Sequence, residues 1–305
     1  MGAHTGRAKL GGYTPDPPHK RVQKDAGTLL RAAVSTSIDH ASHEAFEWRP
    51  VLDQNRCGSC GGHGTAQAIY PAIWSLTGFQ PSWLASPGGL YAATRELARA
   101  AMTPAGVPLP TPLPDDGVNP ADLMTAVSTV GISPMRRTAD GTVVEYGTAN
   151  ASPSLGANSD VDPANVGNDS SMLELERDAE TLLVGEYRID EKASDVIGLM
   201  CAALATGIDG RGSPLGLGVF VDTAFENWDP ATGPVSAVNV NDPDGGGHWL
   251  AVTSFYTLPN GKRVFRGPNS WGQTWGDAGH FEVTEDFIRA SASDIYVFTV
   301  RKAAS

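Results

Sequence analysis

Three short segments of the chain carry side chains able to do acyl-transfer chemistry. The first, Val51-Leu52-Asp53-Gln54-Asn55-Arg56-Cys57-Gly58-Ser59-Cys60, puts a thiol at the start of an expected helix. Unsatisfied N–H groups and the helix dipole at such an end favour an anion, which makes the Cys60 thiolate a candidate nucleophile. Gln54 precedes it, and a side-chain N–H there beside the backbone N–H of Cys60 would form a two-donor oxyanion hole. The second segment, Asp244-Gly245-Gly246-Gly247-His248-Trp249-Leu250-Ala251-Val252, delivers His248 from a glycine-rich turn into an apolar strand. A histidine at a strand end faces a cleft, where it can act as general base and acid. The third, Gly267-Pro268-Asn269-Ser270-Trp271-Gly272-Gln273-Thr274-Trp275-Gly276, offers the Asn269 amide to fix the imidazole tautomer and Trp271 to shield that bond from water.

The elements that must position these residues can be read from periodicity and punctuation. A helix is expected from Cys60 to about Leu76, although Gly61, Gly62 and Gly64 each cost about 1 kcal/mol relative to alanine in a helix interior. Something other than propensity requires glycine there. A second helix runs from about Gly89 to Ala101, with Leu90, Thr94, Leu97 and Ala101 at helical spacing. A third has Asn119 as N-cap and Pro120 at its first position, and a fourth covers Ala193 to Thr206 and carries Cys201 on an apolar face. Beyond it the segments LGLGVFVD, HWLAVTSFYTL, KRVFRGPNSW, GHFEVT and DIYVFTV read as strands. Residues 147 to 171 contain no aromatic, lysine or arginine side chain and read as a long insert loop. A helical first half followed by a strand-rich second half predicts an α+β pair of lobes.

Taken together, CGSC after DQ, GH at a strand start and NSWGxxWGxxGHF, in the order Cys, His, Asn, resemble the papain or cathepsin family of cysteine peptidases. GGYTPDPPHKR is similar to the short leader of bacterial-type members, LASPGGLYAATREL to the helix after the nucleophile, and DDGVNPADLMTAVSTVGI to a D-x-G-helix-G segment. The resemblance covers about residues 11 to 140 and 185 to 300. It implies a papain-like two-lobe fold with the nucleophile on a helical lobe of about 45–140, and the His and Asn on a β-rich lobe of about 185–300. The active-site cleft then lies between the lobes. Carried over residue by residue, it makes Cys60 the nucleophile, His248 the base, Asn269 the orienting amide and Gln54 an oxyanion donor. Gly117, Gly247 and Trp271 become substrate-binding positions. The implied activity is cysteine endopeptidase hydrolysis of peptide bonds through a thioester acyl-enzyme, with a peptide or protein substrate and no cofactor or metal.

The chain departs from the family pattern in three places. Gly61 stands where a large aromatic usually follows the nucleophile, leaving the floor behind Cys60 thin. Cys60 and His248 are 188 residues apart, longer than the family's roughly 130 to 150, an excess the insert partly explains. Cys57 lies where the family often has half of a disulfide, but no cysteine follows at the partner position, so it is expected to be unpaired. His63, one turn after Cys60, is expected to be packed, and Cys57, Cys60 and His63 also match the spacing of three zinc ligands. Two further functions stay open: a catalytically silent papain-like component of a larger assembly such as a virion, and a hydrolase of cell-wall cross-link peptides.

Composition narrows the rest. At 305 residues and 41% hydrophobic the chain can bury a sizeable core, and its net charge of -12 disfavours a nucleic-acid surface. No apolar stretch reaches the roughly 20 residues needed to span a membrane. No secretory signal is visible at the N-terminus, which points to the cytoplasm or a particle assembled there. Residues 1 to 31 carry six basic and two acidic side chains, a balance of +4 that leaves -16 for the remainder. Residues 1–44 are therefore expected to form an extended basic arm before a peptidase domain at 45–300, lying along the acidic body or on a partner and not acting as an inhibitory pro-segment.

Overall fold

The computed structural model describes residues 12–17, 24–31, 38–78, 80–81, 83–103, 107, 115–129, 134–137, 143–145, 182–208 and 210–302. The insert at 147–171 lies outside them. In chain order the elements are β1 (Lys24–Asp25), α1 (Ala26–Leu30), β2 (His40–Ser42), α2 (Cys60–Thr77), β3 (Trp83–Ala85), α3 (Pro87–Met102), α4 (Pro120–Thr129), β4 (Pro134–Arg137), β5 (Val143–Glu145), β6 (Leu182–Ile189), α5 (Val196–Ala205), β7 (Leu215–Val221), α6 (Thr223–Glu226), β8 (Gly246–Val252), β9 (Ser254–Thr257), β10 (Arg263–Pro268), β11 (His280–Thr284), α7 (Glu285–Ser291) and β12 (Ala292–Lys302).

The helical lobe is built on α2, α3 and α4. Ser86 caps α3, accepting from the Gly89 N–H at 3.0 Å, and Pro87 occupies the first helical position, where its missing N–H costs nothing. The glycines of α2 answer to close packing. A Cβ on Gly62 would stand 2.2 Å from the Pro87 carbonyl oxygen at the start of α3, and one on Gly64 would stand 2.8 Å from the Trp249 ring of β8. Ile69, Ile73, Leu84, Leu90, Leu123 and Met124 form this lobe's core together with Trp249, Tyr296 and Phe298 from the strand-rich half. The long central helix is thus fixed against the sheet that carries the histidine.

The β-rich lobe holds a five-stranded sheet in the order β1-β6-β12-β7-β8 and a four-stranded sheet in the order β11-β10-β9-β2. Residues β7 and β8 pair antiparallel with Val219 opposite His248. Strand β7 reads as a near-continuous apolar run because it is central and covered on both faces, with Leu215, Leu217, Val219 and Val221 all fully buried. Helix α5 is apolar on almost every side and is buried in the same core, where Cys201 packs as a small hydrophobe.

Two expectations change. The segment 1–44 is not extended throughout: β1 pairs parallel with β6, α1 follows it capped by Asp25, and β2 adds to β9. Its docking is also not a matter of surface charge alone, although Arg31 does pair with Asp195 at 3.0 Å on the surface. Tyr13 and Asp16 are 4% and 2% exposed, and their bonds run to Asp294, Tyr296 and the Ala121 N–H. None of Cys57, Cys60 and Cys201 is in a disulfide.

Candidate active site

Cys60 opens α2, and its thiol sits against the backbone N–H of Trp249, the residue after His248. The segment before it is held against the β-rich lobe. Gln54 N donates to the Ser270 carbonyl at 2.8 Å, Gly272 N to the Leu52 carbonyl at 2.9 Å, and Gln67 Nε2 to the Asn269 carbonyl at 3.2 Å. Residues 52–54 therefore run beside 270–272 and bring the first and third motifs together.

His248 Nε2 lies 2.7 Å from Asn269 Oδ1, which also accepts from Ser270 N at 2.8 Å. Because a backbone N–H can only donate, that atom is an acceptor, so Nε2 carries the imidazole proton and Nδ1 holds the free lone pair. Nδ1 is buried without a hydrogen-bond partner. Trp271 stacks on the imidazole at 4.7 Å between ring centroids, and Trp275 meets Trp271 edge-on at 4.9 Å. The Nε2–Asn269 bond is thereby walled off from solvent.

Burial sets the charge state. It pushes the Cys60 thiol up to about 12, against bonds from the Trp249 and Gly61 N–H groups that favour the thiolate. It pulls His248 down to about 4, outweighing the Asn269 bond that favours the imidazolium. Burial thus favours the neutral thiol and the neutral imidazole, and works against the helix-terminus effect read from sequence. His63, also held low at about 4 by burial, turns Nδ1 to the Ser59 carbonyl at 2.9 Å, so it is packed. Among the described residues no cluster of three His, Cys, Asp or Glu side chains could hold a metal ion.

Gln54 places Nε2 2.9 Å from the Cys57 carbonyl, while its Oε1 accepts from Ser270 Oγ. One of its two N–H bonds is therefore engaged with the nucleophile turn. The expected thin floor at Gly61 is filled: a Cβ there would stand 2.6 Å from Val118 Cγ2, so the valine occupies the space an aromatic would need. Gly117 gives its N–H to Tyr91 Oη at 3.2 Å, and the backbone edge open to an extended chain belongs to its neighbour Val118.

That edge is occupied by the arm. Thr14 N donates to the Val118 carbonyl and Val118 N to the Gly12 carbonyl, both at 3.1 Å. A Cβ on Gly12 would lie 2.4 Å from the Gly58 carbonyl oxygen, and one on Gly247 would lie 2.3 Å from the Tyr13 carbonyl oxygen. Residues 12 and 13 therefore bridge the segments leading into Cys60 and His248. Sequence reasoning also missed Asp115. It accepts from the Gly58 N–H at 3.0 Å, the Tyr91 hydroxyl at 2.6 Å and the Cys57 thiol at 3.8 Å, tying down the turn that a disulfide would otherwise brace. The lone Cys57 was the available signal.

No protein-family model and no curated protein sequence matches the chain. Solved structures do. Xylellain, a cysteine protease from Xylella fastidiosa, superposes with a TM-score of 0.62 at 20% identity over 97% of this chain and 98% of that one. Digestive procathepsin L 3 of Tenebrio molitor gives 0.53 at 15% identity over 96% and 76%, and a Trypanosoma congolense procathepsin B gives 0.53 at 13% over 99% and 85%. The chain has the α+β, two-lobed fold of the papain-like cysteine peptidases.

Proposed function

We propose that the chain is a cysteine peptidase that hydrolyses peptide bonds through a thioester acyl-enzyme at Cys60. The observation that carries this reading is the imidazole of His248, held through Nε2 by Asn269 with Nδ1 left as an unpartnered base, on the strand whose next N–H meets the Cys60 thiol. When a peptide carbonyl enters, Nδ1 takes the thiol proton as sulfur attacks carbon. The oxyanion then forms beside the Cys60 N–H and the Gln54 amide. The imidazolium returns its proton to the departing amine, and water attacks the thioester with His248 again as base.

Residues 12–17 cross the segments leading into Cys60 and His248, and burial favours the neutral forms of both side chains, so we read the docked arm as closing the site, contrary to the expectation that it is not an inhibitory segment. Opening requires residues 12–17 to leave, and hydration then raises His248 and lowers Cys60 toward an ion pair. The full-length match to xylellain favours the bacterial-type branch. Storage in the cytoplasm or in a particle such as a virion stays part of the proposal. A silent structural component would keep the same fold with Cys60 permanently closed. Labelling by an epoxide or iodoacetamide probe separates the two: an active peptidase loses its Cys60 label in Cys60→Ala and cleaves peptides, whereas a silent component does neither.

A further inference from the structure

Tyr13 does more than cross the cleft, because its side chain fills a built slot. The ring is walled by two glycines: a Cβ on Gly218 would stand 2.2 Å from the Tyr13 hydroxyl oxygen, and one on Gly247 would stand 2.9 Å from its Cδ1. Trp249 lies 5.8 Å away between ring centroids at 33°. At the floor the hydroxyl donates to the fully buried Asp294 Oδ2 and lies 2.5 Å from Ser293 Oγ. Glycine at both wall positions leaves a flat space of ring thickness, and the carboxylate at its end, which also accepts from the Asp16 N–H at 3.1 Å, takes the hydroxyl as a further donor on Oδ2.

We propose that Gly218, Gly247, Ser293 and Asp294 form a tyrosine-selective side-chain pocket of the substrate cleft, which Tyr13 occupies as an internal ligand in the resting chain. This rests on the peptidase reading for its place in catalysis, but the pocket itself is tested by binding alone. The backbone of the occupant pairs with Val118, as Gly12 and Thr14 do now. Phenylalanine fits the slot but loses the phenolic donor, leaving the buried Asp294 Oδ2 with the Asp16 N–H at 3.1 Å. Lysine and arginine offer donors, but they are not flat and neutral, and Arg188 already lies 3.4 Å from Asp294 Oδ1, so a second cation would be repelled.

The probe is the heptapeptide of residues 11–17, Gly-Gly-Tyr-Thr-Pro-Asp-Pro, and its Phe analogue, titrated calorimetrically into the full-length Tyr13→Ala variant. The tyrosine peptide is expected to bind at least about tenfold more tightly than the Phe analogue. Equal affinities, or no binding of either, overturn the pocket whether or not the chain is an enzyme. Should Tyr13→Ala unfold the chain, the wild-type protein is given fluorogenic peptides in which Tyr and Phe are exchanged at each position before the scissile bond. One position is expected to favour Tyr by about tenfold or more in kcat/KM, and Asp294→Ala is expected to bring that ratio toward one. Cleavage indifferent to the exchange at every position refutes the selectivity while leaving the peptidase reading intact; cleavage that survives in Cys60→Ala refutes the peptidase reading while leaving the binding result to stand.

Discussion

Raising the pH should release the arm. Asp16 is buried where the arm meets α4 and β12, and burial raises its carboxyl to about 6 from an ordinary 3.8. The Tyr296 hydroxyl at 2.5 Å and the Ala121 N–H at 2.8 Å hold the carboxylate down, Asp294 raises it, and Arg188 lowers it. A group whose docked pKa is raised stabilises docking fully below its free value and loses that contribution as pH rises through the docked one. From pH 5 to pH 8 the loss is about 1.4 kcal/mol, roughly tenfold in the docking equilibrium, and across the full interval it is about 3 kcal/mol. Exchange of the Thr14 and Asp16 amides, which bond to the Val118 carbonyl and to Asp294, reads this directly once corrected for intrinsic rates. Protection should fall about tenfold between pH 5 and 8, and Asp16→Asn should flatten the dependence. Protection that is constant, or greater at pH 8, would refute the assignment of Asp16 as the titrating tie.

Other consequences are more local. Asn269→Ala leaves His248 Nε2 without its 2.7 Å acceptor and should lower kcat by roughly tenfold or more with little change in KM, measured by steady-state kinetics on a peptide substrate. Asp115→Ala strands the Gly58 N–H and the Tyr91 hydroxyl and should cost about 1 to 3 kcal/mol in urea unfolding; an unchanged midpoint would deny it a bracing role. Gly61→Ala drives a Cβ to 2.6 Å from Val118 Cγ2 and should destabilise by about 1 to 3 kcal/mol, with Val118→Ala relieving the loss in the double variant.

Much of the architecture was legible because local signals agree with the tertiary environment. Helix α2 begins at Cys60 and α4 at Pro120, and strands β7 to β12 fall on the segments whose apolar runs marked them. The helix at α3 starts two residues earlier than its periodicity suggests, because the Ser86 cap and Pro87 were passed over for Gly89. What was not legible depends on distant partners. The Pro- and Gly-rich composition of residues 12–17 says the chain is extended there, but nothing local says that Tyr13 meets Asp294 or that Asp16 meets Tyr296, each about 280 residues away. Charge accounts for only part of the attachment: Arg31 pairs with Asp195 at the surface, whereas residues 12–17, which carry no lysine or arginine, are held by an aromatic ring and a buried carboxyl. The site itself was read from three motifs in order. The opposing influence of desolvation was not, because nothing local in the sequence says that Cys60 is fully buried, where burial works against the helix N-terminus and favours the neutral thiol.

The most direct test of the nucleophile is mass spectrometry of the full-length chain after treatment with iodoacetamide at pH 5 and pH 8, with Cys60→Ala alongside and peptide cleavage followed in parallel. If Cys60 is the nucleophile of a peptidase closed by its arm, a single adduct should map to Cys60, form faster at pH 8 than thiol ionisation alone explains, and abolish cleavage in proportion to labelling. Cleavage that survives in Cys60→Ala, or full labelling of Cys60 with cleavage untouched, would contradict it.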